Sequence, residues 1–342
     1  MRDIPPFDTD TAAAARARQA GLVKPPGSLG RLEDLSVRLA GMPGRLDWIP
    51  ERRAVIICAG DHGVTAQGVS AYPQTITARM VETFIAGRAA ISAVAQAVGA
   101  KVMVVDAGVR ARYDMPPEAT GVLVAAPIGR GTRDFTEQTA LKPGEDSSAL
   151  QLGLRVVERL IAVDEGQLIA VGEMGIGNAT AASAIIAAIS GQPASWVTGR
   201  GTGVSDEGLA RKIDVVERAL AHHQPAAEDT LLKFGGYEIG AMAGIMIGAA
   251  AQRIPVIVDG LISSAAALIA MQHAPAVRDY LIAGHRSTEP GHQVALDVLG
   301  LEPLLDLDMR LGEGTGAALA IPVVEAAART LAQMGTLSDL GR

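Results

Sequence analysis

The sequence predicts an α/β protein: a doubly wound, mostly parallel sheet with a smaller helical domain built from both chain ends. Three observations carry this. Six short β-rich runs are apolar throughout instead of alternating, as strands are when both their faces are covered. Long Ala- and Gly-rich helical segments separate them, and strand alternating with helix is the pattern of a parallel sheet. Neither end of the chain contributes such a run.

In chain order, residues 10–45 read as helix, broken at Pro25-Pro26-Gly27. The strand runs are AVIIC (54–58), KVMVV (101–105), GVLVAA (121–126), QLIAV (167–171), PVIVD (255–259) and YLIAG (280–284). Helical stretches lie among them, such as TITARMVETFIAGRAAISAVAQAVG, NATAASAIIAAIS, SDEGLARKIDVVERALAHH and GYEIGAMAGIMIGAAAQR. Residues 314–334 are helical again. The expected division is a small helical domain from 1–45 and 303–342 around a large α/β nucleotide-binding domain, 46–302.

Composition narrows the function classes. Of 342 residues, 49% are hydrophobic but only 3% aromatic, so helices must pack closely through small side chains. The net charge is −7 and no basic stripe interleaves with aromatics, which argues against nucleic acid. The single cysteine, Cys58, lies within AVIICAG; it excludes an internal disulfide and reads as a buried thiol. The first residues, MRDIPPFDTD, are polar, and the longest apolar run, 239–251, is too short and Gly-rich to span a bilayer. A cytoplasmic protein without membrane partners is the expectation.

Ligands of an open parallel sheet bind beyond the carboxyl ends of its strands. Those exits carry Asp61 and His62, then Asp106, Glu173, Gly260, and finally His285, Arg286 and Ser287. Five polar exits on one rim point to a cleft. Taken singly, an Asp after a strand is more often a cap or turn former, and His62 reads as hydrogen-bonded scaffold instead of a base. Two Gly-rich loops suit phosphate. TGRGTGVSDEGLARK (198–212) places Ser205 as an N-cap, with Arg200 and Lys212 as charges, and GEMGIGN (172–178) also runs from strand into helix. Neither is a GxGxxG opening the first βαβ unit, nor a P-loop. The plainer alternative is glycines that only turn the chain. HExxH and Cys/His clusters are absent, so no metal and no cofactor are expected. The acids Asp61, Asp106 and Glu173 nevertheless leave a Mg²⁺-dependent nucleotide hydrolase or nucleosidase open, and a non-catalytic nucleotide-binding domain is a third class.

The stretch DMRLGEGTGAALAIPVVEAAARTLAQM (308–334) holds a lone carboxylate, Glu313, between Gly312 and Gly314 at the mouth of an apolar helix. Either it is a proton-transfer group or it is an acid favoured at a helix N-terminus. An apolar pocket would raise its pKa and the helix terminus would lower it, so the sequence leaves the sign open.

KPPGSLGRLEDL (24–35), AGDHGV (59–64), GEMGIGN (172–178), GRGTGVSDE (199–207), GHRSTEPGH (284–292) and RLGEGTGAALA (310–320) occur in an order and spacing that resemble the nicotinate-nucleotide–dimethylbenzimidazole phosphoribosyltransferase family. The resemblance runs from about residue 20 to the C-terminus. It implies a homodimer that moves the ribose 5-phosphate of nicotinate mononucleotide onto 5,6-dimethylbenzimidazole or a related azole. The products are α-ribazole 5'-phosphate and nicotinate, with inversion at C1. It implies Glu313 as general base, and Glu173, Gly175, Gly201, Gly203, Lys212, Gly260 and Ser287 around the nucleotide and its phosphate. It aligns VSAYPQTITARM (69–80) with the aromatic-base pocket, where Tyr72 and Arg79, about two helical turns apart, would flank a flat ring together with Leu311. One carboxylate suffices for such chemistry. A pyridinium leaving group departs neutral and needs no acid, whereas the attacking azole must lose a proton.

Overall fold

The computed structural model describes residues 3–115, 119, 121–164, 166–224 and 229–341. All six predicted runs are strands: β1 (Arg53–Gly60), β2 (Lys101–Gly108), β3 (Val122–Ala125), β4 (Leu168–Met174), β5 (Val256–Val258) and β6 (Leu281–Ala283). They form one sheet in the order β3-β2-β1-β4-β5-β6, with every neighbouring pair parallel. β1 is buried along all but its first residue, which explains why its sequence does not alternate. The chain winds outward from β1 to β3, then returns beside β1 as β4 and winds the other way. The β1–β4 boundary is therefore the switch point at which a crevice opens past the strand ends. In that register Ile57 lies opposite Gly172 and Cys58 opposite Glu173. Cys58 is a buried free thiol, as its apolar run predicts. A second, two-stranded parallel sheet joins β7 (His285–Arg286) to β8 (Leu305–Asp306); it is too short to show in the sequence.

The small-residue packing is visible between the helices Glu145–Asp164 and Tyr237–Ala251. A Cβ on Gly153 would strike the Ala241 carbonyl, and one on Gly244 would strike the Leu150 backbone. The latter helix is buried on every side, as its all-round apolar sequence requires.

The helices Thr9–Ala20 and Arg31–Gly41 pack with the helix Thr315–Gln333, and Ala12, Ala15, Val37, Ala40 and Leu331 form a small cluster there against Phe7. Arg18 donates to the carbonyls of Leu331 (2.6 Å) and Met334 (3.2 Å), closing a helix end whose own carbonyls lack partners. Among the described residues, Thr315–Gln333 has the length and apolarity of a membrane span. Its residues Ala317, Ala318, Ile321, Val324 and Ala327 are packed inside the protein.

Candidate active site

A cavity of about 640 Å³ opens beyond the carboxyl ends of β4, β5 and β6. Its walls come from Glu173–Ile176 after β4, Asp259–Ser263 after β5, His285, Ser287 and Glu289 after β6, and Gly201–Thr202 and Arg310–Glu313 from two loops; Tyr72, Ile76 and Met80 complete it. The exits of β1 and β2 do not take part. Asp61 accepts from Thr77 Oγ1 (2.7 Å) and the Arg110 N–H (2.8 Å), and Asp106 accepts from the Val109 N–H (2.8 Å) and Tyr113 OH (2.7 Å). His62 is fully buried with Nε2 2.6 Å from Glu238 Oε1, the scaffold role expected of it. The three acids once open as a Mg²⁺ site thus face separate partners, and no cluster of metal-ligating side chains exists among the described residues.

Glu313 lies at one end of the cavity in an unusual backbone. Gly312, Glu313 and Gly314 all have positive φ (85°, 61° and 81°), a conformation costing a glutamate about 1–3 kcal/mol. The glycines are there for space. A Cβ on Gly312 would run into Glu173 Oε1, and one on Gly172 in β4 would run into the 313–314 peptide, so the turn lies directly on the strand. Its N-cap, Gly314, offers no side chain; Asp259 supplies the cap from β5, accepting from the N–H groups of Gly314 (3.2 Å) and Ala317 (2.9 Å).

Glu313 is 7% exposed, and its Oε2 accepts from the Ile91 N–H at 3.4 Å. Burial raises its pKa, the charge of Asp259 adds to the rise, and the Ile91 N–H opposes it. The sign left open by the sequence is therefore upward, because burial is the largest effect on this carboxyl. Glu173 is pushed up to about 8, first by burial and then by Asp259, Glu238 and Glu313, against a hydrogen bond from Asn178. Burial thus favours its protonated form.

Helix starts in the same cavity suit an anion. The helices Asn178–Ser190 and Leu261–His273 start at the cavity with glycine N-caps, Gly177 and Gly260, and no side-chain cap. N-termini without side-chain caps present a positive dipole end and N–H donors; at Asn178–Ser190 the Asn178 and Thr180 N–H groups already bond the Gly175 and Gly177 carbonyls (3.1 Å each). Ser287 and Gly201 stand in the same wall. Ser287 is held by its own N–H donating to His292 Nδ1 (2.9 Å), and Gly201 by its N–H donating to Glu289 Oε1 (2.9 Å). Burial keeps His292 neutral, its pKa lowered to about 4.

The sequence expectations divide accordingly. Glu173, Gly175, Gly201, Gly260, Ser287, Tyr72, Leu311 and Glu313 all line the cavity. Gly203 and Lys212 do not. Lys212 is buried beneath the loop, with Nζ donating to the Gly199 carbonyl at 2.8 Å, and it carries the loop instead of facing the cavity. Ser205 caps its helix through the Gly208 N–H (3.2 Å), so that terminus is already satisfied by its own residue. Arg200 pairs with Asp206 and bonds the Val204 carbonyl, turned to its own loop. Arg79 is the clearest correction. Its side chain is 75% exposed and pairs with Glu82 at 3.1 Å. Ile76 and Met80, one turn apart, line the cavity from that helix, and Arg79 lies about 100° around the axis from Met80. Asp259, Glu289 and Arg310 were missed. They sit within noticed segments, but polarity alone does not say which of many loop charges turns inward.

Comparison with known proteins agrees with the geometry. A family model described as phosphoribosyltransferase matches residues 4–341. The nicotinate-nucleotide–dimethylbenzimidazole phosphoribosyltransferase of Chloroflexus aggregans is 52% identical over 345 residues, spanning 100% of this chain and 96% of that protein. The protein of the same name from a Roseiflexus species is 51% identical over 99% of this chain and 95% of its own length. The crystal structure of the nicotinate-nucleotide–dimethylbenzimidazole phosphoribosyltransferase from Thermus thermophilus superposes with a TM-score of 0.91 at 43% identity, covering 98% of this chain and 99% of that one. The chain belongs to the nicotinate-nucleotide–dimethylbenzimidazole phosphoribosyltransferase family.

Proposed function

We propose that the chain transfers ribose 5-phosphate from nicotinate mononucleotide to 5,6-dimethylbenzimidazole, releasing nicotinate and α-ribazole 5'-phosphate. The observation that carries this reading is one cavity whose walls hold both a nearly buried carboxyl, Glu313, and the starts of two helices without side-chain caps. The phosphate lies against the Gly177 and Gly260 helix starts, near Ser287 and Gly201. The flat base enters between Tyr72 and Leu311, both about half exposed at the cavity mouth, over Ile76 and Met80.

In this reading the azole attacks C1 through its bare ring nitrogen while the glycosidic bond to nicotinate breaks. The pair of electrons in that bond goes to the pyridinium nitrogen, which becomes neutral. The azole N–H, made acidic by the attack, passes its proton to Glu313. A raised proton affinity makes Glu313 a stronger base. Protonated Glu173 donates a hydrogen bond to the nucleotide without adding its own negative charge to those of Asp259 and Glu313. The decisive test is product analysis with nicotinate mononucleotide and a panel of azoles. Nicotinate should appear only when an azole is present; release without one would indicate a nucleosidase instead. The family resemblance supports a cytoplasmic homodimer with a small domain formed by 1–45 and 303–342, and light scattering tests the dimer.

A further inference from the structure

We infer that Asp259 is a positioning residue for Glu313: it bridges the Gly314 N–H of the turn that carries Glu313 and the Ala317 N–H in the first turn of the following helix, and so holds that carboxyl aimed into the cavity. The inference rests on Glu313 being the base.

Asp259 is 2% exposed and directly follows β5, so its carboxylate is anchored in the sheet. Oδ2 accepts from the Gly314 N–H at 3.2 Å and Oδ1 from the Ala317 N–H at 2.9 Å. Gly314 is the N-cap of the helix Thr315–Gln333 and has no side chain with which to do this. Both glycines flanking Glu313 are unconstrained by a Cβ, and Glu313 itself is held in a left-handed conformation it does not favour. A turn of this composition needs support to stay in one geometry; Thr315 Oγ1 donates to the Gly312 carbonyl from within the chain's next residues (2.8 Å), and Asp259 clamps the Gly314 side from the sheet. His285 closes the other side. Its Nε2 lies 3.5 Å from Asp259 Oδ1, and its ring fills the space where a Cβ on Gly316 would be.

The clamp is also electrostatic. The groups arranged about Glu313 are Asp259 from the β5 exit, Glu173 from β4, His285 beyond Asp259, the Ile91 N–H from the helix Ala90–Ala97, and Arg310 on its own loop. Asp259 offsets the positive helix terminus and repels a second negative charge, so it keeps the Glu313 proton affinity high. Removing its charge makes Glu313 easier to ionise, and the acid limb of the rate profile moves to lower pH.

The test is Asp259→Asn, with kcat, KM for nicotinate mononucleotide, nucleotide Kd and the pH profile of kcat/KM. A displaced base costs on the order of 10- to 100-fold in kcat. The expected result is that loss, an acid limb at lower pH, and no further loss when the change is made in Glu313→Gln. An unchanged kcat, or a loss with an unmoved acid limb that recurs in full on top of Glu313→Gln, would overturn the inference and leave Asp259 a structural cap. Should Asp259→Asn not fold, Asp259→Glu decides: it keeps the charge but misplaces it, so kcat should fall about tenfold or more with the acid limb in place, and wild-type kcat would overturn the proposal. If Glu313→Gln retains turnover, the base assignment itself has failed, which is a separate result.

Discussion

Glu173 couples the stability of the free protein to pH in a measurable way. Its pKa rises from 4.5 to about 8, so the native state binds a proton that the unfolded chain releases. A carboxyl raised on folding contributes stability that is fully present below its unfolded value and is lost as pH rises through its folded value. The window is thus about pH 4.5 to 8, and within it unfolding free energy should fall by about 1.4 kcal/mol per pH unit. The ceiling across the window is roughly 5 kcal/mol. Coupling to Glu313, and relaxation on ionisation, reduce this to about 2–4 kcal/mol. Glu173→Gln keeps the size and a hydrogen-bonding oxygen for Asn178 but cannot ionise. Urea unfolding of both proteins at pH 5.5, 6.5, 7.5 and 8.5, without ligand, measures the difference. Wild type should lose stability toward pH 8.5, and the variant should lose less, ending more stable than wild type by about 2–4 kcal/mol. Parallel pH profiles for the two proteins would refute the reasoning, since Glu173 would then ionise in the fold at no greater cost than in water.

Glu313→Gln should lower turnover by about 100- to 10,000-fold while both substrates still bind and the fold melts normally, with partial recovery at raised pH where more azole loses its proton to solvent. Tyr72→Ala should change the ranking among azole acceptors, whereas Arg79→Ala, at an exposed position paired only with Glu82, should leave that ranking as it is; competition among azoles in one reaction reads both. Lys212→Ala should weaken nucleotide binding more than benzimidazole binding through the released loop 199–203, and because the ammonium is buried against the Gly199 carbonyl it should also cost about 1–3 kcal/mol in thermal or urea unfolding.

Much of this protein was legible before any coordinates. Six apolar runs became six strands because a strand covered on both faces has no reason to alternate, and that property is local to the run. Glycines next to polar groups at strand exits marked the binding rim, and a lone acid between two glycines marked Glu313, because both patterns reflect what the backbone can do within a few residues. The tertiary structure alone decided which exits meet. With the order β3-β2-β1-β4-β5-β6, the exits of β4, β5 and β6 share a cavity while Asp61 and Asp106 are engaged in local hydrogen bonds. It also decided that Arg79 faces solvent while Met80 faces the cavity, since a step of one residue on a helix changes the direction of a side chain by about 100°. Asp259 reaches a helix that begins more than fifty residues later, a contact with no trace in sequence spacing. The sign of the Glu313 shift belongs to the same class. Opposing effects act on that carboxyl, and burial, which only tertiary packing creates, is the largest of them.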